Sequence, residues 1–190
     1  TNSGYFQDHD HQLNRISRST ATHSTLILDN SSVCSFKKNS KGPSVVSRGF
    51  KTFDNQVTYD NNYWNIKCSH DGYLSRYGVI HHRSLEFYSD KNIILGKEKL
   101  IKKKNFKATN FEIRFHLLPN IKVTKLQDNK SVLIELENSG WRFFSNDGTI
   151  GVETGLYFGS KNKYIENQNI FISGITQKDE QLIEWKISKI

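Results

Sequence analysis

Residues 111–117 read Phe-Glu-Ile-Arg-Phe-His-Leu, so Phe111, Ile113, Phe115 and Leu117 are separated by Glu112, Arg114 and His116. A period of two sends alternate side chains to opposite faces, and the segment predicts a half-buried β-strand with His116 on the solvent side. The same period recurs in Val132, Ile134 and Leu136, in Trp64, Ile66 and Cys68, and in Ile183, Trp185 and Ile187. Each run has the length of a strand rather than a helix. Between the runs stand Asn61-Asn62, Asp71-Gly72, Asp90-Lys91-Asn92, Asp128-Asn129 and Asn146-Asp147-Gly148. These residue types tolerate positive φ or close turns with their own side chains. The pattern predicts about ten to thirteen short strands.

Helical signal is thin, because no window longer than about three turns keeps apolar residues at helical spacing. Many short strands in succession define an all-β chain, an antiparallel sandwich or barrel. The stretch from Lys37 to Arg48, with Asn39-Ser40-Lys41-Gly42-Pro43 at its centre, reads as an exposed loop. The first twenty residues are polar and weakly patterned, and are expected to pack only against chain upstream of them. No internal repeat is present.

Composition adjusts this picture in a few places. Hydrophobic residues are only 35% of the 190, but 12 Phe, 8 Tyr and 3 Trp carry large buried areas, enough for a core in a single domain over 1–190. The 27 Lys and Arg outnumber 19 Asp and Glu for a formal charge of +8, which attracts anionic partners: nucleic acid, acidic glycan or an acidic membrane surface. Part of the excess lies in Lys102-Lys103-Lys104, and such a run reads first as a solvated edge. No motif with interleaved aromatics supports nucleic acid, and no apolar stretch reaches the length of a membrane span. Cys34 and Cys68 are the only cysteines; without metal-ligand spacing they are either one disulfide or two free thiols. The chain opens at Thr1 rather than Met and carries no signal-peptide pattern, so it is expected to be cut or processed from a longer parent.

Histidine carries the candidate chemistry, since it binds metals and moves protons near neutral pH. Asp8-His9-Asp10-His11 has the composition of a metal site and equally that of a solvated loop. Adjacent His81 and His82 must point to opposite faces of a strand. His81 and Arg83 share a face with Val79, Leu85 and Phe87, which places a basic pair either in a polar pocket at a strand end or at a wet sandwich rim. Trp64, Tyr73 and Trp141 would stack on sugars if exposed, and would serve as core if not.

The run Arg18-Ser19-Thr20-Ala21-Thr22-His23-Ser24-Thr25-Leu26, followed by Asp29, resembles the signature of the heparinase II/III family. There a small polar stretch and a His open a strand ending in Asp. Later blocks are similar to the bacterial branch of that family: His70-Asp71-Gly72-Tyr73, Gly78 to Phe87, Phe111 to His116, Gly140-Trp141-Arg142-Phe143 and Tyr157-Phe158-Gly159. The likeness runs from about residue 1 to about residue 174. It implies an antiparallel β-sandwich, the C-terminal part of a polysaccharide lyase whose helical toroid lies outside this sequence. It also implies β-elimination on uronic-acid-containing glycans, an anionic polysaccharide partner, and a periplasmic or secreted location. By the same resemblance His23, His81 and Arg83 support catalysis, while His70, Tyr73 and Arg83 contact substrate. His23 would ligate a divalent metal such as zinc. The family's matching acidic position appears here as Asn2 and its first His is missing, so these residues alone do not complete that metal set. An acidic-carbohydrate-binding module without catalysis is the rival reading.

Overall fold

The computed structural model describes residues 1–39, 42–103, 107–161 and 163–190. Fourteen strands form among them, joined with two short α-helices, α1 (Gln12–Ser17) and α2 (Leu74–Tyr77). The early strands are β1 (Leu26–Leu28), β2 (Ser35–Asn39), β3 (Gly42–Arg48), β4 (Thr52–Asp60) and β5 (Tyr63–His70). The middle of the chain forms β6 (Val79–Tyr88), β7 (Ile93–Lys102), β8 (Thr109–His116), β9 (Lys122–Lys125) and β10 (Ser131–Leu136). The last four are β11 (Ser139–Ser145), β12 (Thr149–Ser160), β13 (Lys163–Thr176) and β14 (Glu180–Lys189). All five turn signals named from sequence fall between elements, and Asn92, Asn129 and Gly148 take the positive φ that such turns require.

Two antiparallel sheets face each other, so the chain is an all-β antiparallel sandwich. The smaller sheet has the order β1-β8-β13-β12 and the larger has β4-β5-β6-β7-β14-β11-β10-β9. Phe111, Ile113 and Phe115 of β8 pack with Ile170 and Ile172 of β13 against Val132, Phe143, Ile183 and Trp185 of the large sheet. The alternation read from sequence therefore marks the facing surfaces. With eight strands against four, the large sheet extends past its partner.

Register makes the inner face of the large sheet legible as rows across β4, β5, β6, β7 and β14. One row is Tyr59, Trp64, Phe87, Ile94, Ile187; the next is Val57, Ile66, Leu85, Gly96, Trp185. Beyond these come Cys68, Arg83, Glu98, Ile183, and then His70, His81, Leu100. Gly96 is required where it stands, because a Cβ there would lie 2.0 Å from the Trp185 ring, closer than any packing allows.

Three sequence expectations are corrected. Residues 35–39 and 42–48 pair as the β2–β3 hairpin rather than a loop; Ser40 and Lys41 lie outside the described residues. His116 is only 4% exposed. Its side of the small sheet is covered at that end by the N-terminal segment: its Nε2 donates to Ala21 O at 2.9 Å, and the Thr1 ammonium donates to His116 O at 3.1 Å. That segment packs without any upstream chain, burying Ser3, Phe6, Asn14, Ser17 and Thr20. Cys34 and Cys68 are both free thiols. Lys102 pairs with Asp179 at 2.9 Å, while Lys104 lies outside the described residues. No helix of the described residues is long and apolar enough to cross a membrane.

Candidate functional site

His23 sits just before β1, where the chain leaves a 3-10 turn at Thr20–Thr22 and becomes extended. β1 itself is only three residues long and wholly buried, so the peptide ahead of it needs other anchors. The structure supplies them from both sheets. From the small sheet, Arg114 N donates to Thr25 O at 3.1 Å and His116 N donates to Ser24 Oγ at 3.1 Å. Asn2 Oδ1 accepts from Ser24 N at 3.1 Å, and Ser24 Oγ donates to Thr1 O. From β6 of the large sheet, Arg83 Nη1 donates to Ser24 O at 2.7 Å, and from the start of α2, Tyr73 OH donates to Leu26 O at 2.9 Å. Each anchor satisfies a backbone group that a three-residue strand leaves unpaired.

Beneath Arg83 lies a buried charged network. Glu98 is 0% exposed and His81 1%. Arg83 Nε and Nη2 both reach Glu98 Oε1 at 2.8 Å, Trp185 Nε1 donates to the same oxygen at 3.4 Å, and His81 Nε2 meets Glu98 Oε2 at 2.7 Å. His81 Nδ1 lies 3.0 Å from His70 Nε2, and His70 Nδ1 accepts from Gly72 N at 3.2 Å. These partners assign the tautomers. His70 Nδ1 is an acceptor, so Nε2–H donates to His81 Nδ1, and His81 Nε2–H donates to the carboxylate. The hydrogen bonds run one way, from the Gly72 amide to Glu98.

Electrostatics keeps that direction. Burial pushes the Glu98 carboxyl up, but the Arg83 guanidinium and then the His81 hydrogen bond outweigh it and hold the group below its usual value. His70 is lowered to about 4, first by burial and then by neighbouring His81, so it is neutral at pH 7. Tyr73, 1% exposed, is pushed above the usual phenol range by burial. His23 is exposed, yet enough protein surrounds its ring for desolvation to lower its pKa. The arrangement presents a neutral imidazole at a pinned strand end. Its Arg83 guanidinium is already compensated from within.

The five residues singled out by sequence thus converge on one place. Arg83 and Tyr73 hold the peptide next to His23, and His70 and His81 complete the network under Arg83. Sequence reasoning missed Glu98, whose signal is visible in retrospect: it occupies the apolar period of β7 with Ile94, Gly96 and Leu100, between outward Lys97 and Lys99. It also missed Asn2, Ser24 and His116 as anchors.

The metal implied by the resemblance does not fit these residues. Among the described residues no group of three or more His, Cys, Asp or Glu is placed to hold an ion, and the Asn2 amide oxygen is taken by Ser24 N. The Asp8-His9-Asp10-His11 run is an exposed turn in which Asp8 Oδ1 accepts from Asp10 N and His11 Nδ1 caps α1 by accepting from Leu13 N.

The fold defines an antiparallel β-sandwich with a pinned strand end at His23. Residues 1–186 match the family described as heparinase II/III-like, C-terminal, and the chain belongs to that family. Among solved structures it is similar to heparan sulfate lyase HepC from Pedobacter heparinus, with TM-score 0.78 at 17% identity over 99% of this chain. A heparinase III gene product gives 0.71 at 14% identity over 100%, and a further heparinase III gives 0.66 at 16% over 95%. The chain spans 28% of the first two and 25% of the third. Comparison with curated proteins gives no match.

Proposed function

We propose that this chain is the β-sandwich portion of a polysaccharide lyase, one that cleaves uronic-acid-containing anionic glycans by β-elimination in the periplasm or outside the cell. Its partner within the enzyme is a helical toroid outside these residues. In such a reaction a base removes the proton α to the uronate carboxylate. The resulting electron pair forms the ring double bond, and the 4-linked sugar leaves with a proton from an acid. The observation that carries this reading is the convergence of His23, Arg83, Tyr73, His70 and His81 on one strand end, within a chain whose family membership covers residues 1–186.

The roles divide by exposure. His23 faces the substrate side as a supporting group, with the Arg83 N–H groups not used on Glu98 or Ser24. His81 and Tyr73 act as positioning residues, since their side chains have almost no surface of their own. The sandwich alone has little elimination activity, because an imidazole without an organised acid and carboxylate clamp assembles no transition state.

The test incubates the parent, its His23→Ala variant and this chain with a panel of acidic polysaccharides and follows the ultraviolet absorbance of unsaturated uronates. The expected result is signal from the parent, at least about a tenfold loss in the variant, and none from the chain. A parent silent on every glycan while this chain binds one would replace the lyase reading with that of an acidic-carbohydrate-binding module.

A further inference from the structure

Two adjoining open cavities separate α1 from the β2–β3 hairpin. One, of about 510 Å³, reaches toward α2, and the other, of about 320 Å³, runs to the start of β3; Arg15 and Phe36 line both. Together they present Arg15, Arg18, Arg76 and Lys38. None of these four cations forms an ion pair among the described residues. Asp10 alone among the lining side chains is a carboxylate. The lysines of β7 behave differently: Lys97, Lys99 and Lys102 pair with Glu184, Glu180 and Asp179. Positive charge is cancelled locally along β7 and left uncancelled in the groove.

The groove is also built. Arg18 lies 4.2 Å over the Phe36 ring and donates from Nη1 to Ser44 O at 2.7 Å, which pins the hairpin to the helical segment. Concave walls of low dielectric concentrate the field of the remaining cations on whatever enters. We infer that this groove is a binding site for an acidic polysaccharide chain, separate from the strand end at His23. Guanidinium groups in a cleft suit the sulfates and carboxylates of such a chain. A single-stranded nucleic acid needs open aromatic faces for its bases, and Phe36, the one Phe, Tyr or Trp lining the groove, is covered by Arg18. The ligand class rests on the proposed glycan chemistry of the parent; the groove does not.

The test titrates the 190-residue chain with a short heparan sulfate oligosaccharide, a desulfated counterpart, a neutral dextran and an oligothymidylate. It repeats the titration on Arg15→Ala/Lys38→Ala/Arg76→Ala and on a control, Lys67→Ala/Lys97→Ala/Lys99→Ala. All the substituted side chains except Lys99 are exposed, and circular dichroism checks that both variants fold. The expected result is glycan binding that weakens at least about tenfold in the groove variant and less than about twofold in the control. Retained binding to the desulfated form assigns recognition to carboxylates, and its loss to sulfates; either supports the site. Equal losses in the two variants, or oligothymidylate binding as tight as the glycan, would overturn it. If the chain binds nothing while the parent cleaves glycan, the groove proposal falls and the lyase reading stands. If the chain binds and the parent cleaves nothing, the reverse holds.

Discussion

The inner face of the large sheet has two halves that invert the usual rule. Where the small sheet covers it, between β6 and β14, it buries His81 and a fully enclosed Glu98 beneath a partly buried Arg83; where cover ends, on β4, it exposes Val57 at 66% and Tyr59 at 81%. Both sets obey the same period of two and lie in neighbouring rows of one register. Alternation therefore specifies which face a side chain shares, while burial depends on the extent of the opposing sheet. A buried charge survives in the covered half because each Glu98 oxygen has a donor. Exposed apolar groups survive in the uncovered half because the strands beneath them are already paired on at least one side.

The largest effect that would sharpen this contrast comes from Glu98→Ala. Removing the carboxylate leaves the Arg83 guanidinium partly buried without its partner and cuts the acceptor from His81, so a loss of about 3–5 kcal/mol is expected in chemical denaturation. A loss below about 1 kcal/mol would mean that the network is no more than a surface ion pair. The Arg83 bond to Ser24 O should loosen with it, and amide exchange around residues 23–26 should rise even where the variant stays folded.

Next in size is a pH effect at His70. Its folded pKa of about 4 lies below the unfolded value of 6.5, so between those values the unfolded state binds the extra proton. Stability from this group is full above pH 6.5 and falls as pH drops toward 4. For a partly exposed ring the loss is on the order of 2 kcal/mol. Comparing denaturation midpoints of the native chain and His70→Asn across that window isolates the contribution. Parallel pH curves for the two proteins would show that the ring is not held neutral by the fold.

How much of this was legible beforehand differs between the two halves. The strand pattern, the turns and the family signature were all visible, since each depends on local residue order. The grouping of His70 with His81 was not, because it arises from the β5–β6 register that sets them opposite each other. Glu98 was hidden for the same reason: its inward position is read from β7, but its partners come from β6 and β14. His116 misled because the cover over its face is the N-terminal segment, about a hundred residues away in sequence, and strand alternation carries no information about such cover. The hairpin at β2–β3 was obscured by Gly42, Pro43, Lys37 and Lys38, residue types depleted in strands yet tolerated at a two-stranded ribbon.

The smallest effect tests the other half of the comparison. Tyr59→Ser and Val57→Thr remove apolar surface that already faces water, so little transfer free energy is at stake and each should change stability by no more than about 0.5 kcal/mol. In the covered half, Leu100→Ala leaves a cavity and should cost about 2–5 kcal/mol by the same measurement. If Tyr59→Ser or Val57→Thr instead cost as much as Leu100→Ala, the wing would have to be covered in solution, and the inversion between the two halves would disappear. Their near-neutrality would show that one sheet face holds both core and surface. The alternation continues unchanged across the boundary, so only the reach of the opposing four strands divides them.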